Sequence, residues 1–368
     1  MEHIEMNWLW SSLYHALAML WQTFWALVLG FSISAALQVF VSKERMSRAF
    51  GKTNLKSVAA ATGFGAASSS CSYAAAAAGR SAIQQGAALI PALAFMFAST
   101  NLVIELGAVL WLLMGWQFVL AEFIGAIVLI ALVALMVRLF MPKNVQDDLR
   151  RHAEKKGGDS SCHDHAAHEH EAGGNGKWKA MASAFVMDWQ MMWKELIAGF
   201  LIAGFIATLV PHSWWSTLFW QGGPEPLRLI ENALVGPIIA IASFVCSVGN
   251  IPLASHLWSN GISFGGVISF IYADLLVVPL IIIYAKYYGA RAATYITIIF
   301  YVAAVVAGLF VDLLFSIFGL IPTGPRPASA VEHAMISWNY TTWLDLIAAV
   351  VALILVCLHF RNREHARH

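Results

Sequence analysis

The feature that most limits what this chain can fold into is a series of nearly uncharged apolar runs, each about twenty residues long, the length that crosses a hydrocarbon core. Between Lys56 and Arg138 only Arg80, Glu105 and Glu122 carry charge. Asp, Glu, Lys and Arg make up 12% of the 368 residues and apolar residues 59%, about half the charge of an ordinary soluble domain. A soluble enzyme, a nucleic-acid binder and a secreted disulfide scaffold are thereby excluded as first readings. The four cysteines, Cys71, Cys162, Cys246 and Cys357, stand at unrelated spacings and read as free thiols.

The expected fold class is an all-α polytopic membrane protein with about 8–11 transmembrane or re-entrant helices. The first twenty residues carry no Lys or Arg and so lack the positive start of a cleavable signal; the first run, about residues 17–41, reads as a retained helix. Lys43, Arg45, Arg48, Lys52 and Lys56 follow it and should stay inside. Threaded onward, 19 of the 22 Lys and Arg residues fall on that side, leaving Arg80, Arg228 and Arg326. The N-terminus is then outside, and the central loop and the C-terminus are cytoplasmic. Residues 1–141 form a first membrane repeat, 142–192 a His-rich cytoplasmic linker, 193–315 a second membrane repeat, and 316–368 an outer loop and final helix with a basic C-terminus.

The two halves match each other at an offset of about 175 residues. Cys71-Ser72 aligns with Cys246-Ser247, Gln85-Gly86 with Asn260-Gly261, and Phe97-Ala98-Ser99 with Tyr272-Ala273-Asp274. With one residue of slippage, Gly30-Phe31 aligns with Gly204-Phe205. The lead helix of the first half runs inward and its counterpart, residues 193–211, runs outward, so the repeat is expected to be inverted. Secondary transporters are commonly built this way, with the substrate near the midplane at broken helices.

Three groups of residues could carry chemistry. Gly63, Gly65, Ser68 to Ser70, Cys71, Ser72 and Tyr73 have as their partner in the second half Ser243, Cys246, Ser247, Gly249, Asn250 and Pro252, with the two Cys-Ser pairs at matched positions. Their glycines and proline favour local unwinding, which in lipid is tolerated only around a protein-lined or wet cavity, and thiols suit a soft metal or metalloid. Plain close packing by small residues is the alternative. Second, Glu105 and Asp274 lie inside apolar pieces and are candidates for carrying a coupling proton; Arg80 is a candidate cavity charge that attracts an anion or pairs with Glu105. Glu122 and Asp312 read as interfacial. Third, Cys162, His163, His165, His168 and His170 offer thiolate and imidazole to zinc, copper or nickel, or else form a solvated linker with incidental affinity. No cofactor is otherwise required.

On these residues the chain resembles the predicted permease family that includes the ArsP-type organoarsenical efflux permeases. The resemblance rests on Gly63-Phe64-Gly65, Ser70-Cys71-Ser72 followed by Arg80, Gly86-Ala87-Ala88 and Phe97-Ala98-Ser99-Thr100-Asn101 in the first half. In the second it rests on the run Cys246 to Ala254, Gly261, Gly265-Gly266 and Tyr272-Ala273-Asp274. It implies a permease of the bacterial inner membrane that exports a toxic substrate, trivalent organoarsenicals being the characterised class, with Cys71 and Cys246 as ligands. Ser72, Ser247, Asn250 and Asn101 complete the expected substrate set. The His-rich tract departs from the arsenical pattern and leans toward a metal cation.

The expected function is secondary efflux of a thiophilic metalloid or a soft or borderline divalent metal, coupled to protons. The alternative is a metal-sensing or channel-like membrane subunit whose His-rich loop binds divalent metal. No GxxxxGK[ST] sequence is present, and no enzyme activity is expected. The expected partners are a small inorganic or organometalloid substrate, the lipid bilayer and a second copy in a homo-oligomer, with no nucleic acid.

Overall fold

The computed structural model describes residues 2–40, 51, 53–68, 70, 72–84, 86–155, 174–209, 212–220, 222–243, 247–323 and 340–365. Among them there are helices and turns and no strand, as a chain that must satisfy its backbone without water requires. The helices are α1 (Glu2–Phe40), α2 (Leu55–Ser68), α3 (Ser72–Gln84), α4 (Leu89–Asn101), α5 (Ile104–Met114), α6 (Trp116–Phe140), α7 (Lys143–Lys155) and α8 (Gly174–Leu209). They continue with α9 (His212–Leu218), α10 (Glu225–Ser243), α11 (Ser247–Ser259), α12 (Phe264–Ile271), α13 (Val278–Tyr288), α14 (Ala290–Ile317) and α15 (Tyr340–His365); a 3-10 turn, Tyr272–Leu276, joins α12 to α13.

The chain is a multi-pass membrane protein. Four helical segments among the described residues, α6, α10, α14 and residues 342–360 of α15, are long and apolar enough to span a bilayer alone. Two bent pairs, α4 with α5 and the α12–3-10 arm with α13, each bent by 43°, meet the same length and apolarity when each pair is taken as one unit, a broken span or a re-entrant loop. The outward faces are apolar: Ile298, Val302, Val306, Phe310, Leu313 and Ile317 form an exposed stripe on α14. Its opposite face is small, with Ala303, Ala304, Ala307 and Gly308 buried. Lipid outside and close backbone packing inside explain that inversion of the soluble pattern.

The order of elements recurs between the halves. A helix ends ahead of Cys71 or Cys246, a second begins at Ser72 or Ser247, a glycine turn follows, then a bent pair and a long helix. Gly86 (φ 92°) and Gly261 (φ 107°) make the equivalent turns in the left-handed region, which only glycine enters without strain. Packing follows the same scheme: α2 lies on α4, α10 on α12, and α6 and α14 pack beside these bent pairs and on each other. The crossings bring backbone against backbone. A Cβ on Gly65 would stand 2.6 Å from Phe95 O and one on Gly236 2.5 Å from Gly266 O.

Two local expectations change. Gly63 and Gly65 are helical, within α2, and α11 runs through Pro252; close packing of the helix faces outweighs the poor propensity of these residues. The linker also begins with structure. In α7 Val145, Leu149 and Ala153 form one buried stripe on an otherwise polar helix, and that stripe covers the ends of α3, α13 and α14.

Several basic segments gather at this same end. Arg138 Nη2 donates to Thr53 O (3.1 Å), Gln84 Nε2 donates to Ala153 O (2.6 Å), and His152 on α7 lies against Gly289, between Lys286 and Arg291. The lead helices α1 and α8 pack along each other, and α15 packs on both.

Candidate functional site

Polar groups of both halves converge on Asp274. It sits in the 3-10 turn between α12 and α13 and is fully buried. The turn arises because the chain leaves helical geometry at Val277 (φ −58°, ψ 143°) to admit Pro279 in the first turn of α13. The backbone this frees is answered from within the protein: Tyr284 donates its hydroxyl to Leu275 O at 3.1 Å.

Ser72, the first residue of α3, donates from Oγ to Asp274 Oδ2 at 3.4 Å, a buried bond between residues 202 positions apart. Ser247, the first residue of α11, and Thr100 and Asn101 at the C-terminal end of α4 also reach the Asp274 carboxyl. The cluster is therefore made of two helix starts, one from each half, and the breaks of both bent pairs. Ser99, the repeat counterpart of Asp274, turns its hydroxyl to Met96 O (2.9 Å) and accepts the Ser70 N–H on its carbonyl (2.9 Å). Asn250 lies one turn into α11, fully buried, and accepts from Ser243 Oγ at 3.0 Å, which ties α11 to the end of α10.

Residues 11–313 match the model of the ArsP_1 family, described as "Predicted permease". The chain belongs to the ArsP_1 family. It is 46% identical over 316 residues, 83% of this chain and 77% of the relative, to a protein of Mycobacterium tuberculosis (strain ATCC 25618 / H37Rv) named "Putative permease Rv2963". No solved structure matches it. The match covers every element that contributes to the Asp274 cluster and stops short of α15.

In this ArsP_1 permease the other sequence-derived residues are placed as follows. Ser72, Ser247, Asn101 and Asp274 come together, with Asn250 beside Ser243 on the same helix start. Cys71 and Cys246 lie outside the described residues; each immediately precedes in sequence a serine of the cluster. Glu105 is buried in the first turn of α5, where the helix dipole favours a carboxylate. Arg80 is two turns beyond Ser72 on α3, and its guanidinium lies 4.5 Å from the ring centre of Tyr287 on α13. Cys162, His163, His165, His168 and His170 lie outside the described residues. Among the described residues no group of three or more His, Cys, Asp or Glu side chains could hold a metal.

Two carboxylates expected nearer the outer membrane interface are both buried within the protein. Asp312 on α14 is buried and accepts the Gly265 N–H at 2.7 Å, so it caps α12 from a neighbouring helix. Glu122 on α6 is fully buried, and the Tyr272 hydroxyl donates to Ala121 O and Glu122 O, 3.1 Å each. A signal for Glu122 was present: Gly125, Ala126 and Leu129 follow it at helical spacing and are all buried, marking that face as a packing face.

Proposed function

We propose that this permease is a secondary transporter of the bacterial inner membrane that exports a thiophilic metalloid or a soft or borderline divalent metal, in exchange for protons. The observation that carries the reading is the buried Asp274 cluster, in which hydroxyl, amide and carboxyl groups from both halves meet at helix starts and helix breaks. That is where transporters with inverted repeats hold their substrate. Cys71 and Cys246 adjoin the serines of this cluster in sequence and supply the soft ligands that select such a substrate. Asp274 carries the proton, binding it on the outer side as substrate leaves, and the halves rock about the cluster. The recurrence of element order, glycine turns and 43° bends supports an inverted repeat. The basic segments collected at the α7 end support a cytoplasmic position for that end, for the His-rich loop and for the C-terminus.

Accumulation of methylarsenite, arsenite, zinc, copper and lead in cells expressing the wild type or the Cys71→Ser, Cys246→Ser double variant tests the reading. The wild type lowers the accumulation of at least one of these. The double variant loses that effect while reaching the membrane in equal amount. Equal export by the double variant removes the thiol site.

A further inference from the structure

Arg80 lies in the body of α3 and is 6% exposed. Two of its nitrogens, Nε and Nη2, are buried without an acceptor among the described residues. They form one edge of the guanidinium, from which two N–H bonds point side by side. The face of the group is already in use: it lies 4.5 Å from the ring centre of Tyr287 on α13, a contact that holds the guanidinium plane and leaves the edge unpaired. Beside Tyr287 stands the ring of Tyr288, 6.2 Å away centre to centre. Tyr288 is 1% exposed, and its hydroxyl too has no partner among the described residues.

The place is a junction of three elements, since α3, α7 and α13 each pack on the other two. Gln84, one turn beyond Arg80, donates to Ala153 O of α7, and His152 of α7 lies against Gly289, just past Tyr288. Arg150 and Arg151 on α7, Lys286 on α13 and Arg291 on α14 are exposed at this end, where they outnumber the exposed Asp147 and Asp148. Such a balance draws anions toward the junction.

Buried donors in surplus beside an unbalanced positive charge call for an acceptor that is itself negative. Water can accept from the edge but leaves the charge unbalanced. A halide balances the charge but meets the edge at a single point. An oxyanion presents two oxygens to the two parallel N–H groups, and a tetrahedral one has further oxygens for the tyrosine hydroxyl.

We propose that Arg80 anchors a binding site for a phosphate-class oxyanion at the α7 end of the molecule, with Tyr287 as the platform that orients the guanidinium and Tyr288 as a further donor. The bound anion joins α3 of the first half to α13 of the second. Arg80 is two turns from Ser72 on α3, so this site is separate from the thiol site proposed above and does not depend on it. Inorganic phosphate and the phosphate of a lipid headgroup offer the same chemistry to the edge.

The test uses the full-length protein purified in maltoside micelles. It is equilibrated with radiolabelled inorganic phosphate in chloride buffer, and the phospholipid that co-purifies with it is counted by mass spectrometry. The wild type is expected to bind phosphate saturably in the presence of excess chloride. Arg80→Lys keeps the charge and loses the paired edge, and should weaken phosphate binding at least about tenfold. Tyr288→Phe removes one donor and little else, and should weaken it about three- to tenfold. A wild type that holds no phosphate but retains phospholipid, which Arg80→Lys releases, supports the site with the headgroup as its source. A wild type that holds neither ligand overturns the proposal, as does equal binding by the wild type and Arg80→Lys. If Arg80→Lys does not fold, Tyr288→Phe decides, and an unchanged affinity then overturns the site.

Discussion

Gly63 and Gly65 stand two residues apart on α2, and alanine should have opposite effects at the two positions. Gly63 is exposed and a Cβ there meets nothing within 4 Å. A Cβ on Gly65 lies 2.6 Å from Phe95 O, 2.8 Å from Ala98 Cβ and 3.1 Å from Ser99 N. Backbone on the facing helix cannot rotate out of the way as a side chain can, so α2 must lift from α4 by about 0.8 Å to restore ordinary contact. Both substitutions gain the same helix propensity, about 1 kcal/mol. The difference between the two variants therefore isolates the overpacking cost, about 1–3 kcal/mol. Gly63→Ala is expected to match or exceed the wild type in stability and Gly65→Ala to fall below Gly63→Ala by that amount. The lift also strains the Ser70 N–H bond to Ser99 O and draws Ser72 away from Asp274, so transport should fall with stability. Reversible unfolding of the purified protein in mixed micelles, with helicity as the signal, measures the difference. Equal stability of the two variants would show that α2 does not pack on α4 through Gly65.

Asp312→Ala removes the acceptor of the Gly265 N–H and should cost about 1–3 kcal/mol, whereas Asp312→Asn, which keeps an acceptor, should recover part of it; the same unfolding assay ranks them. Gly261→Ala forces a left-handed turn on an L-residue and should cost about 1–2 kcal/mol, visible as a lower unfolding midpoint, and Gly86→Ala should behave alike because the turns are equivalent.

The membrane class, the paired glycine turns and four of the five residues that meet at Asp274 were legible in the sequence, Thr100 being the exception, because each rests on a residue type with a narrow use. Gly86 and Gly261 mark turns that other residues resist, and a carboxylate such as Asp274 is too costly in an apolar segment without a purpose. The burial of Glu122 was hidden for a different reason. Its helix is apolar all round, so Gly125 and Ala126 mark the packing face only faintly until Tyr272 on the facing turn fixes it. Asp312 shows the same limit, since its partner is a backbone N–H on another helix, 47 residues away. The course of α11 through Pro252 was likewise hidden, because tertiary packing overrides what a local sequence prefers.

The last helix has a mechanical meaning. α15 packs on both α1 and α8, with Asp345 Oδ1 accepting the Trp25 N–H at 3.0 Å and the His359 ring lying 3.2 Å from Ser183 Oγ. Beneath it the lead helices are already joined at Gly204, whose position leaves no room for a Cβ beside Ser12 O. One helix from each half is thus strapped to the other along most of its length. Sliding or splaying this seam would break packing on three helices at once. The seam is a brace between the halves, and it reaches the site: α5, which follows Asn101, packs on α1, and α11, which begins at Ser247, packs on α8.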